Sequence, residues 1–117
     1  MQKVSIEENI KANLDQIAQM SQEVLRYEGQ LQLLQSLRKV GVETLEIDEE
    51  KLKEKDYVVP KRSVDENIEE TIGRIERITK EILRLEGSVR FLRNIHDGGV
   101  NEVEVDEEKV KDKEQTE

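Results

Sequence analysis

A mainly α-helical fold is what this 117-residue chain predicts, and three features predict it. Two long stretches carry apolar residues at helical spacing. The second of them is a gap-free copy of the first. The composition is 40% charged and 3% aromatic, with a single proline, which suits long helices better than a globule with a thick core. The expected architecture is a tandem duplication of a unit made of a long helix, a glycine and a short β-strand. It would form a coiled-coil hairpin or helical bundle with small β elements.

The duplication shows when each residue is set against the one fifty-eight positions later. Ser5–Asp56 then aligns with Ser63–Glu114, and twenty of the 52 pairs are identical. "SIEENI" answers "SVDENI", "EVLRYEG" answers "EILRLEG", and "GVETLEIDEEKLK" answers "GVNEVEVDEEKVK". The match defines repeat 1 (residues 1–60) and repeat 2 (residues 61–117), read together as one cooperative domain. Such a chain fits descent from an oligomer of the single unit.

Each repeat opens on a helix start. Ser5 with Glu8, and Ser63 with Glu66, fit the capping box, with Glu7 and Asp65 suiting the positive end of the helix dipole. The helices are expected over about 5–39 and about 63–96, each roughly 50 Å long at 1.5 Å per residue. Gly41 and the Gly98–Gly99 pair supply the left-handed residue that commonly follows a helix end. Strands are expected next, over about 42–48 and about 100–106. Val42, Leu45 and Ile47, and Val100, Val103 and Val105, are the residues predicted to take part in strand pairing. Asp48 and Asp106 are placed to cap a brief helical turn. Repeat 1 alone continues into "YVVP", a candidate second strand at 57–59, while the acidic tail of repeat 2 is expected to fray.

An antiparallel hairpin needs the smallest connection between the helices and is the preferred topology. It leaves the two strands apart: repeat 1 has "YVV" as a partner, whereas the strand of repeat 2 would need another chain. The main apolar stripe of helix 1 runs Ile10, Leu14, Ile17, Met20, Val24, Tyr27, Leu31, Leu34, Leu37. Helix 2 repeats it, with steps averaging near the coiled-coil period. Leu25, Gly29 and Leu33 form a second stripe, read as lying beside the first, and so do Leu83, Gly87 and Phe91. A helix interior glycine costs roughly 1 kcal/mol relative to alanine. Its recurrence at equivalent sites points to close approach of another helix, or of a bulky side chain such as Tyr27 or Phe91. Leu25, Tyr27, Gly29 and Leu33, with Leu83, Leu85, Gly87 and Phe91, are therefore the predicted helix-packing and oligomer interface.

Catalytic chemistry is not expected. With no cysteine, the chain has no disulfide and no thiolate. His96 is the only histidine, and Arg38 stands at its place in repeat 1, so a cation at a helix C-terminus accounts for both. The sequence holds no phosphate-binding loop, dinucleotide fingerprint or metalloprotease motif. "DEEKLKEK" and "DEEKVKD" lack the alternating acids and central glycine of a calcium loop. No cofactor and no metal are expected. The net charge of −9 disfavours nucleic acid and anionic membranes as partners. No apolar run approaches the ~20 residues of a membrane span, and "MQKVSIEENI" lacks a signal-peptide core, so the expected location is the cytoplasm.

The order of helix, β segment around "VETLEID…YVVP" and returning helix resembles a β-type prefoldin subunit, although there the second helix is not a copy of the first. The stretch from Gly29 through "LQLLQSLRKVGVETLEIDEEKL" is similar to the small helical chaperones that assist phage tail-fibre assembly. These resemblances imply a helical hairpin that oligomerises and holds other chains. The expected function is thus a non-catalytic oligomeric coiled-coil protein, partnered first by itself, acting as assembly factor, adaptor or holdase. Two alternatives stand beside it. One is an acidic inhibitor, of a virus for instance, filling a partner's nucleic-acid groove; the other is a small-ligand binder with pockets between chains at the glycines.

Overall fold

A computed structural model of the protein describes residues 2–52 and 63–106. The elements run β1 (Gln2–Ser5), α1 (Ile6–Lys39), α2 (Glu49–Leu52), α3 (Val64–Asp97) and β2 (Glu102–Val105). The two 34-residue helices form a helical hairpin accompanied by a small antiparallel sheet. The expected strand at 57–59 and the acidic tail lie outside the described residues.

Two compact units cross the repeat boundary. One contains Met1–Gln19 with Ile82–Glu117, the other Met20–Glu81. Each unit therefore joins the head of one repeat to the tail of the other. Within the second unit, Arg74 meets Tyr27, Thr71 meets Gln30, and Asp65 meets Arg38. Partners climb one helix as they descend the other, so the helices are antiparallel there.

Helix starts and stops are built alike in both units. The Ser5 Oγ accepts from the Glu8 N–H at 3.3 Å, and the Ser63 Oγ from the Glu66 N–H at 3.3 Å. The side-chain amides of Asn9 and Asn67 donate to the carbonyls of Ser5 and Ser63, both at 2.9 Å. At the other end, Gly41 and Gly99 adopt φ of 92° and 95°. Val42 donates to the Leu37 carbonyl and Gly41 to that of Arg38. Val100 and Gly99 repeat the pair with Ile95 and His96. This double bond closes the orphan carbonyls of a helix end and needs a left-handed residue, which glycine supplies without a Cβ clash. Of the glycine pair 98–99, it is Gly99 that takes this role.

Beyond each glycine the chain turns back onto the start of the other helix. The Val64 N–H donates to the Glu43 carbonyl at 2.9 Å, and the Ile6 N–H to the Asn101 carbonyl at 2.9 Å. In the first unit this contact continues into a ladder: β1 and β2 pair antiparallel, with Val4 opposite Val103 and Ser5 opposite Glu102. The strand of repeat 2 spans four residues of the expected seven, and its partner is the N-terminal segment of the same chain rather than another chain. In the second unit the described residues show only one bridge, Thr44 to Ser63, and the expected strand at 42–48 is not formed. Val42 and Leu45 both pack against the core of Leu34, Val64 and Ile68. Residues three apart cannot share one face of a strand, whose side chains alternate with period two. The Asp48 side chain accepts from the Glu50 N–H at 3.1 Å, capping the single turn of α2.

Among the described residues the buried apolar ones are few: Ile6, Leu34, Val64, Ile68 and Val89. Ile6 and Val64 occupy equivalent positions, the first residue of each helix, and each is only 1% exposed. The glycine joints that hold these helix starts therefore matter to stability. Replacing Gly99 by alanine should lower unfolding stability by about 1 kcal/mol, because the left-handed conformation penalises a Cβ by that order. Urea denaturation of the full chain measures it.

Candidate functional site

The inward faces of the two units differ in chemistry. In the second unit the Thr71 hydroxyl, 1% exposed, donates to the Asn67 carbonyl at 2.7 Å and accepts from the Gln30 amide at 2.9 Å. One helical turn along, the Arg74 guanidinium lies 5.6 Å from the centre of the Tyr27 ring. It donates to the Tyr27 hydroxyl at 3.3 Å and to Glu70 at 2.9 Å. The hydrogen bond to the tyrosine hydroxyl is the largest influence on this guanidinium and, with lesser help from the Glu70 carboxylate, holds its pKa above the ordinary value against the opposing effect of burial. Tyr27 is thus half-buried and engaged within its own unit. Repeat equivalents of this cluster are Ala12, Gln16 and Leu85, which cannot reproduce it.

The first unit instead has an open groove of about 420 Å³ between its helices. Leu14, Ile17 and Val89 line it, with Arg90 and Arg93 opposed by Glu86 and Asp97. His96 Nε2 lies 3.2 Å from Glu7 Oε1, and Arg38 Nε lies 3.1 Å from Asp65 Oδ1. Those four residues are repeat equivalents, so the histidine stands at the helix C-terminus where repeat 1 has an arginine. Among the described residues no cluster of acids or histidine could hold a metal ion, and no helix is long and apolar enough to cross a membrane.

The outer faces carry the most unusual feature. Leu25 and Leu33 on α1 are 66% and 61% exposed; Leu83 and Phe91 on α3 are 61% and 65% exposed. Among residues of their kind such exposure is ordinary singly, but these recur in pairs around Gly29 and Gly87. A Cβ added at either glycine would meet nothing within 4 Å. Neither Tyr27 nor Phe91 therefore packs on a glycine within the chain. The second stripe does not lie beside the core-facing one either. At 100° per residue, Gly29 stands about 140° round the helix from buried Leu34 and about 160° from Tyr27. Leu25, Gly29 and Leu33 are accordingly on the outward side of α1. Leu85 is half-buried, like Tyr27.

The remaining predicted residues divide between core and surface. Val42 and Leu45 support the Leu34 cluster, and Ile47 is half-buried. Val103 and Val105 lie in β2, while Val100 precedes it; Val100 and Val103 are 38% and 40% exposed. Sequence reasoning missed the Gln2–Ser5 partner strand, since the repeat alignment begins only at Ser5 and offers no second copy of it. It also passed over how free of charge the outer side of α1 is. Ser21, Gln22, Leu25, Gly29, Gln32, Leu33 and Ser36 are all exposed and uncharged in a chain that is 40% charged.

No family model matches the chain, and neither a curated protein nor a solved structure does.

Because Gly29 meets no neighbour among the described residues, alanine there should raise stability by about 0.5–1 kcal/mol through helix propensity alone. Chemical denaturation of Gly29→Ala at low micromolar concentration checks this. A loss of stability would place an intrachain contact at the glycine.

Proposed function

We propose that this protein is a non-catalytic, oligomeric coiled-coil protein that binds other polypeptides through the outer faces of its helices. It would act as an assembly factor, adaptor or holdase. The observation that supports this reading is the duplicated outward stripe, Leu25–Gly29–Leu33 on α1 and Leu83–Gly87–Phe91 on α3, with its four large side chains exposed. Exposed apolar rows rimmed by charge mark association sites on helical proteins. An open glycine between two large residues lets a second helix or an extended chain come close without displacing anything. The small core among the described residues adds to the case, since five buried apolar residues there leave much of the helix surface for other contacts.

The holdase reading is tested with chemically reduced insulin, whose B chain aggregates on release. Wild-type protein at equimolar ratio should suppress the rise in light scattering. The variants Leu25→Ser with Leu33→Ser, and Leu83→Ser with Phe91→Ser, should each lose most of that effect while keeping wild-type helicity by circular dichroism. An unaltered aggregation curve with the wild-type protein removes the holdase reading; full activity in the serine variants moves the site away from the stripes.

A further inference from the structure

The pattern around each glycine recurs, with only the last apolar residue changed: Leu25-Arg26-x-Glu28-Gly29-x-x-x-Leu33 and Leu83-Arg84-x-Glu86-Gly87-x-x-x-Phe91. Viewed down the helix, Leu25 and Leu33 flank Gly29 at about 40° on either side. Arg26 lies about 60° to one side and Glu28 about 100° to the other, only two residues apart along the axis. Each apolar row is thus bordered by a cation on one edge and an anion on the opposite edge, at nearly the same height.

From this we infer that the outer strip of α1 is a self-association surface, on which a second copy of the chain packs its own α1 in parallel and in register. The inference rests on the reading of the outer stripes as association sites and names the occupant of one of them. In a parallel pair related by a two-fold axis along the helices, opposite edges face each other. Arg26 then meets the partner's Glu28, and Glu28 the partner's Arg26, so both edges are charge-complementary. In an antiparallel pair like edges meet, and Glu28 faces its own copy across the axis. Gly29 meets Gly29, which lets the backbones approach, and Leu25 and Leu33 each pack on their counterparts.

Charge also selects α1 over α3 for this contact. Each chain carries a net charge of −9, so two copies repel in general. The strip from Ser21 to Ser36 on the outer face of α1 has no charge along its centre, whereas the matching strip on α3 includes Lys80 and Arg90. A neutral centre with reciprocal edges is the arrangement that lets two acidic chains meet without a buried unpaired charge. Four turns of one helix bury less than the roughly 800 Å² per partner of a standard stable interface, so the dimer is expected in the micromolar range.

Sedimentation equilibrium on the full chain at 0.15 M salt, over about 1 to 500 µM, tests the geometry. Wild-type protein should show a concentration-dependent dimer. Arg26→Glu alone, and Glu28→Arg alone, each place like charges on both edges and should weaken it about tenfold or more. The double variant Arg26→Glu with Glu28→Arg exchanges the edges and should restore wild-type association, which a merely misfolded single variant could not explain. Single variants with unchanged dissociation constants, or a double variant no better than either single, overturn the parallel arrangement. A wild-type monomer throughout the range overturns the self-association itself. The insulin assay then decides separately whether the stripes hold other chains.

Discussion

Everything else in this fold depends on the joint between the end of one helix and the start of the other. Its parts are a glycine in the left-handed region, a backbone carbonyl two residues later, and the first amide of the opposing helix. Glu43 receives the amide of Val64, and Asn101 receives that of Ile6. The amide at a helix start has no intrahelical partner, so this bond satisfies a group that would otherwise be costly to bury. It also allows the residue that carries it to be isoleucine or valine, buried to within 1% of completion.

Because each joint links two repeats, neither repeat completes its own helix start. Ser5, Ile6 and Glu7 of repeat 1 are served by Glu102, Asn101 and His96 of repeat 2; Ser63, Val64 and Asp65 of repeat 2 are served by Thr44, Glu43 and Arg38 of repeat 1. The exchange is residue for residue at the spacing of the duplication. Such reciprocity is what two separate copies of one unit would need to associate. Around these joints the two units have diverged. One has the Tyr27–Arg74–Glu70 and Gln30–Thr71 contacts between its helices, the other a shallow apolar groove with arginines at its edge.

The outer stripes follow from a different constraint. A helix that packs against a single neighbour buries about one side of its cylinder. On α1 that side takes Tyr27, Leu31 and Leu34, and leaves Leu25 and Leu33 outside. Leucine, glycine and leucine on a solvent-facing row confer no advantage on an isolated hairpin, since the glycine weakens the helix and the leucines stay wet. Their value, on the reading proposed, lies in contacts with a further polypeptide.

The amino-acid sequence by itself determined the helices, their caps and the equivalence of the two halves. Ser5 and Ser63, Gly41 and Gly99, and the apolar period act through local backbone chemistry and need no distant partner to be recognised. What lay beyond it were the contacts between segments far apart in the chain. Val103 and its neighbours read as a strand, but only the tertiary structure supplied Gln2–Ser5 as the partner, because four residues before a helix carry too little pattern to declare themselves. The equivalent stretch at 42–48 reads just as well as a strand and is not one, since Val42 and Leu45 both turn into the core. The side of the helix on which Gly29 lies was decided in the same way. Periodicity places Leu25, Gly29 and Leu33 on one row, and only the position of α3 makes that row an outer one.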